Sequence, residues 1–114
     1  MKTAILYARV ATGDQRAGDH NPLQNQIDEL KAYCLLNKID IVKVYSEVAQ
    51  GATFDRECFQ EMLSELESGM IKADVILFTS WDRFSRNYSA ALQMTKTLRS
   101  MNIKARSIHD TKFQ

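Results

Sequence analysis

The sequence predicts a three-layer α/β/α domain, a mainly parallel sheet of four to five strands with helices on both faces. Three observations predict it. Segments of strand and helix character alternate along the 114 residues, the pattern that lays parallel strands beside one another under crossover helices. Residues 3–10 and 73–78 are apolar almost throughout, as strands covered on both faces must be. Polar clusters follow directly on three strand-like runs, which gathers them at the carboxyl edge of the sheet, where open α/β folds bind ligands.

Thr3 to Val10 reads as a first, central strand. Residues 12–20 are polar, contain Gly13 and Gly18, and read as a loop. Asn21-Pro22 is a helix start, with Asn as cap and Pro at the first helical position. Leu23, Ile27, Leu30 and Cys34 then recur on one helical face, and Asn37 ends the helix. Ile39 to Tyr45 is β-branched and aromatic, a second strand. A loop around Gly51 follows. Asp55 is expected to cap the next helix, with Phe54 and Phe59 at the hydrophobic-staple positions around it. Phe59, Met62, Leu63 and Leu66 make its apolar face, and Gly69 stops it. Ala73 to Phe78 is a third strand. Tyr88, Ala91, Leu92, Thr95 and Leu98 form the buried face of a further helix that Asn102 ends, and Ile103 to Ile108 is a last strand. Met62, Met70, Met94 and Met101 read as packing residues.

Composition narrows the possibilities. A content of 45% hydrophobic and 25% charged residues, with one proline and four glycines, is that of a folded globular domain. Its length fits one domain, able to bury about 65% of its unfolded surface. No apolar run is long enough to span a bilayer, and no secretory signal is expected. Cys34 and Cys58 have neither metal nor redox spacing, so a reducing cytoplasm is the expected setting. Asp19-His20 reads as surface, His109-Asp110 follows the last strand without metal-ligand partners in sequence, and no metal or cofactor is expected. The net charge of +1 does not advertise a nucleic-acid partner; such a partner requires basic residues concentrated in one place, or a binding module elsewhere. The chain is expected to be the front part of a longer polypeptide, since residues 1–114 end without a closing helix.

The polar segments are Arg9 to Gln15, Gln50 to Arg56, and Trp81 to Asn87. Parallel strands bring all three to one edge, so Arg9, Arg56, Arg83 and Arg86 can converge. Grouped guanidinium ions repel one another unless an anion sits among them, and the planar fork matches phosphate oxygens two at a time. A helix beginning near residue 82 would set Asp82 and Arg86 one turn apart, where Asp82 holds the fork or shuttles a proton. A charge such as Arg9, at the end of a central strand, is costly to bury unpaired. Ser85 reads as a turn hydroxyl.

These residues resemble the catalytic domain of the serine site-specific recombinases, the resolvase/invertase family. Tyr7-Ala8-Arg9-Val10-Ala11-Thr12 is similar to that family's Tyr-x-Arg-Val-Ser-Thr. Gln15 and Gln26 match its two spaced glutamines. Gln50-Gly51-Ala52-Thr53-Phe54-Asp55-Arg56 resembles its Ser-Gly-x-x-x-Asp-Arg, and Asp82-Arg83-Phe84-Ser85-Arg86 its Asp-Arg-x-x-Arg. The resemblance implies a resolvase-like fold and metal-free exchange of duplex DNA strands through a 5′-phosphoserine intermediate. It implies that Arg9, Arg56, Arg83 and Arg86 clamp the phosphate, supported by Asp82, Gln15, Gln26 and Gln50. It also implies a homodimer that becomes a tetramer during strand exchange, with sequence-specific DNA binding in a C-terminal region.

The departure is at the nucleophile. Ala11 stands where the family has serine, and a methyl group cannot attack phosphorus, so this chain is expected to be inactive. Thr12 points to the opposite face of an extended backbone. Ala11 is open to three readings: an introduced change, a naturally inactive homologue acting as a DNA-bound partner, or replacement by another hydroxyl. Outside the recombinases, a flavodoxin-like module could hold a small phosphate ligand at the same edge; Gly13 and Gly18 lack the spacing of a glycine-rich phosphate loop.

Overall fold

The computed structural model describes residues 2–11 and 21–109. Four strands, β1 (Thr3–Val10), β2 (Asp40–Val48), β3 (Val75–Phe78) and β4 (Lys104–Ser107), form one sheet in the order β2-β1-β3-β4. Every pairing is parallel. The helices are α1 (Pro22–Leu36), α2 (Glu57–Glu67), the short α3 (Trp81–Phe84) and α4 (Tyr88–Ser100).

The strand order dictates the layers. The chain steps from β1 to β2 on one side, then crosses back over β1 to β3 and on to β4. Crossovers between parallel strands are right-handed, so the first connection lies on one face and the later two on the other. Accordingly Leu30 and Cys34 of α1 pack on Ala4, Leu6, Val75 and Leu77. Phe59 and Met62 of α2 and Leu98 of α4 pack with Ile5, Tyr7, Ile76 and Phe78 on the opposite face. The direction of winding reverses between β1 and β3, which makes the carboxyl end of that pair the crevice of the fold.

Local signals act as their chemistry requires at several ends. The Asn21 side chain accepts a hydrogen bond from the Gln24 amide at 3.1 Å, with Pro22 opening the helix. Gly69 takes φ of +79° just past α2, the left-handed conformation that glycine adopts without strain.

Other expectations are corrected. Asp55 does not cap α2. Arg56 occupies the cap position with an extended backbone and no capping bond of its own. The cap comes from β2: the Glu47 carboxylate accepts from the Cys58 amide at 3.0 Å and the Phe59 amide at 3.1 Å. Phe54 and Phe59 still meet, with ring centroids 4.7 Å apart, but one residue out of the staple frame. The second strand runs on to Val48 rather than stopping at Tyr45, because β1 pairs with it through Arg9↔Glu47 and Val10↔Val48. The third strand starts at Val75, not Ala73. On α4 the sheet-facing residues are Ala91 and Leu98, with Ala90 and Met94 beside them. Tyr88 and Leu92 are turned outward, 62% and 43% exposed, and Met70 is also a surface residue. No disulfide joins Cys34 and Cys58. Among the described residues no helix is long and apolar enough to cross a membrane, and no cluster of metal-ligating side chains occurs.

The face carrying α2 is held by a train of aromatic rings. Phe59 contacts Tyr7, Phe54 and Phe84 at centroid distances of 5.3, 4.7 and 5.9 Å. Phe59→Ala should therefore destabilise the fold by about 3–5 kcal/mol, lost burial plus cavity, read as a lowered midpoint in urea unfolding. A loss below about 1 kcal/mol would mean the site refills.

Candidate functional site

The site is built on the carboxyl ends of β1, β2 and β3. Arg9 is the last but one residue of β1 and is wholly buried. Its Nε donates to the Arg83 carbonyl at 2.8 Å, Nη1 to the Ala49 carbonyl at 2.8 Å, and Nη2 to the Asp82 carbonyl at 2.6 Å. One guanidinium thus ties the loop after β2 to the short helix after β3. Its main chain is held as well. β3 pairs with β1 only as far as Leu6, and at Arg9 the buried Gln26 side chain takes over. Gln26 Oε1 accepts from the Arg9 amide at 3.2 Å and Nε2 donates to the Arg9 carbonyl at 3.0 Å.

Arg56 is 2% exposed and lies over the Phe54 ring, 4.5 Å from its centroid. Its Nε donates to the carbonyls of Gln50 at 3.1 Å and Thr53 at 2.9 Å, and Nη2 to the Gly51 carbonyl at 3.4 Å. Nη1 reaches the Tyr7 hydroxyl at 3.2 Å, and that hydroxyl donates to Glu47 at 2.6 Å. Burial first, then this bond to a carboxylate, raises the Tyr7 pKa, with Arg56 opposing; the phenol stays protonated.

Gly51 is the close approach on which the site turns. Its carbonyl also accepts from the Arg86 amide at 2.8 Å and the Ser85 hydroxyl at 3.2 Å. A Cβ there would lie 2.8 Å from Arg9 Nη2 and 2.9 Å from Arg86 Cγ, so only glycine lets the two arginines close in.

The four expected arginines therefore come together, while several of the expected roles change. Arg9, Arg56, Arg83 and Arg86 do converge: the Arg9 pKa is lowered by burial first and then by Arg56, with Arg86 and Arg83 adding to it against an opposing Tyr7. Yet Arg9 and Arg56 lie beneath the surface, bonded to main-chain carbonyls, whereas Arg83 is half-buried and Arg86 exposed. Asp82 touches Arg9 through its carbonyl rather than its carboxylate, which accepts from Ser80 Oγ at 2.5 Å. The helix carrying Asp82 ends at Phe84 and Ser85 is extended, so Arg86 does not follow it one turn later. Ser85 is the turn hydroxyl expected, accepting from the Asn87 amide at 3.0 Å. Gln50 is exposed and contributes its carbonyl to Arg56. Ala11 is half-buried, directly after β1. Gln15, like Thr12, lies outside the described residues.

Two hollows open here. One of about 360 Å³ is lined by Gln26, Ser80, Asp82, Arg83 and His109 at the β1–β3 crevice. The other, of about 530 Å³, is lined by Arg86 with Trp81, Tyr88, Leu92, Lys96 and Arg99. Asp82 borders both. Glu47 was not singled out by sequence, and Tyr7 entered only as a motif residue without a role. An acidic residue at the end of a β-branched strand, one position past an exposed serine, was the available sign of Glu47.

The family described as Resolvase, N terminal domain, matches residues 4–114. The Transposon Tn917 resolvase of Enterococcus faecalis is 31% identical over 104 residues, 91% of this chain and 48% of that protein. The Transposon Tn1546 resolvase of Enterococcus faecium is 30% identical over 76 residues, 67% of this chain and 38% of that protein. The chain thus spans less than half the length of these relatives. Among solved structures, the C-terminal catalytic domain of ISC1926 TnpA, an IS607-like serine recombinase, superposes with a TM-score of 0.80 at 25% identity, covering 96% of this chain and 72% of that one. The N-terminal catalytic domain of TP901-1 integrase gives 0.79 at 26% identity, covering 94% and 77%.

Gly51→Ala should separate Arg9 from Arg86 and cost about 1–3 kcal/mol of stability, as forced side-chain shifts do. Chemical denaturation together with the Arg86 amide shift in a ¹⁵N spectrum reads both effects; an unmoved Arg86 amide would contradict the close approach.

Proposed function

The chain belongs to the resolvase N-terminal domain family, and from that we propose that it is the catalytic domain of a serine site-specific recombinase with its nucleophile position filled by Ala11. The substrate is duplex DNA. The active protein is a homodimer that becomes a tetramer during strand exchange, since each of four cut strands needs a site. Residues 1–114 are the front part of a longer, cytoplasmic protein whose sequence-specific DNA-binding region follows.

In this chemistry a serine Oγ bonds to phosphorus while the bond to the 3′ oxygen breaks, leaving a 5′-phosphoserine and a free 3′ hydroxyl. The ester keeps the bond energy for rejoining. Negative charge grows on the phosphoryl oxygens, and donors fixed in advance stabilise it most effectively. Arg83 and Arg86 are the residues that touch the phosphate. Arg9 and Arg56, held rigid underneath, add positive potential and fix the two loops. The observation that carries this reading is the carbonyl-anchored Arg9, which ties Ala49, Asp82 and Arg83 to the end of β1, two residues before Ala11. A methyl group at position 11 leaves the phosphate bound and unattacked.

Ala11→Ser in the longer protein should produce a covalent protein–DNA adduct on its recombination site, seen as a slow band on a denaturing gel, while the Ala11 protein gives none. Arg86→Ala should weaken DNA binding and reduce the salt slope by about one phosphate contact. Absence of an adduct from Ala11→Ser on a site it demonstrably binds would instead favour a non-catalytic partner.

A further inference from the structure

Taking the arginine cluster as a phosphate site, we propose that Glu47 is the positioning residue that sets where Arg86 stands. The geometry is a continuous relay. Glu47 Oε1 accepts from the Cys58 amide at 3.0 Å; Oε2 accepts from the Phe59 amide at 3.1 Å and from the Tyr7 hydroxyl at 2.6 Å. The Tyr7 hydroxyl accepts from Arg56 Nη1 at 3.2 Å. Arg56 grips the Gly51 carbonyl, and that carbonyl accepts from the Arg86 amide at 2.8 Å.

The direction of each bond depends on the carboxylate. A phenol has one proton and lone pairs to accept with. Committed to Glu47, the Tyr7 proton points away from Arg56, and only the oxygen lone pair faces the guanidinium. Donation to a carboxylate also makes the phenol oxygen a better acceptor. The Cys58 and Phe59 amides, at the positive end of α2, fix the Glu47 carboxylate in place. The acid therefore does two things at once: it caps α2, and it places a half-buried carboxylate behind Arg56, the arginine whose charge opposes that of Arg9 most. The backbone segment carrying Arg86 is then set from β2, a strand that carries none of the arginines.

Three variants of this chain separate positioning from mere stability: Glu47→Gln, Tyr7→Phe, and Gly69→Ala, which strains the far end of α2 at its positive φ and lies outside the relay. Two readouts are taken, the Arg86 amide shift during titration with inorganic phosphate and the hydrogen exchange of the Arg56 Nε–H signal. Glu47→Gln and Tyr7→Phe should each weaken phosphate binding about fivefold, the size of one lost hydrogen bond, and speed Arg56 Nε–H exchange. Gly69→Ala should lower the unfolding midpoint and change neither. Wild-type phosphate affinity in Glu47→Gln and Tyr7→Phe overturns the role of Glu47 and leaves the phosphate site standing. No Arg86 response to phosphate in the wild-type chain overturns the phosphate reading and the assignment of Glu47 to it. Faster Arg56 exchange in Glu47→Gln would then still mark Glu47 as an anchor of Arg56 alone.

Discussion

The buried Arg9 guanidinium, bonded to the carbonyls of Ala49, Asp82 and Arg83, is the interaction on which the site depends. Burying a cation is costly unless its donors are met. Three charge-assisted bonds to fixed main-chain dipoles meet that cost, and the fixed fork of arginine dictates where those carbonyls must lie. Lysine, a point charge on a flexible stem, could not hold three peptide groups from two loops in one plane. The acceptors being backbone also means that the geometry of the loops, more than the identity of their side chains, is what Arg9 reads.

Around this anchor the fold uses cations as internal scaffold and as surface tools. Arg56 does for the 50–56 loop what Arg9 does across loops, gathering the carbonyls of Gln50, Gly51 and Thr53. The accessible arginines, Arg83 and Arg86, stand on backbone that the buried pair has fixed. A near-neutral chain thus still presents a concentrated positive edge: the net charge is +1, but four guanidinium groups share that edge and raise the local potential there.

Much of the fold was legible in the sequence because its signals are local. The apolar runs of β1 and β3, the Asn21-Pro22 start of α1 and the Gly69 stop each express a short-range constraint. Failures occurred where a distant group took over a local task. Asp55 has the chemistry of a cap, but Glu47, reaching from β2, already satisfies the first amides of α2. Tyr88 and Leu92 fit an apolar helix face, yet packing of Ala91 and Leu98 on the sheet rotates them outward. At the site, residue types pointed to arginines that the fold does bring to one edge. The division between buried and accessible arginines was not readable, because carbonyl acceptors leave no mark on side-chain identity. The same holds for Gly51, whose need for a missing Cβ arises from two arginines far from it in sequence.

If Arg9 organises the two loops, native-state hydrogen exchange on an Arg9→Met variant will reveal it. The Arg86 amide, bonded to Gly51, and the Ala49 amide, bonded to Val10, should lose protection together, while amides of α1 around Leu30 keep theirs. Unchanged protection at Arg86 and Ala49 in a folded Arg9→Met protein would contradict it.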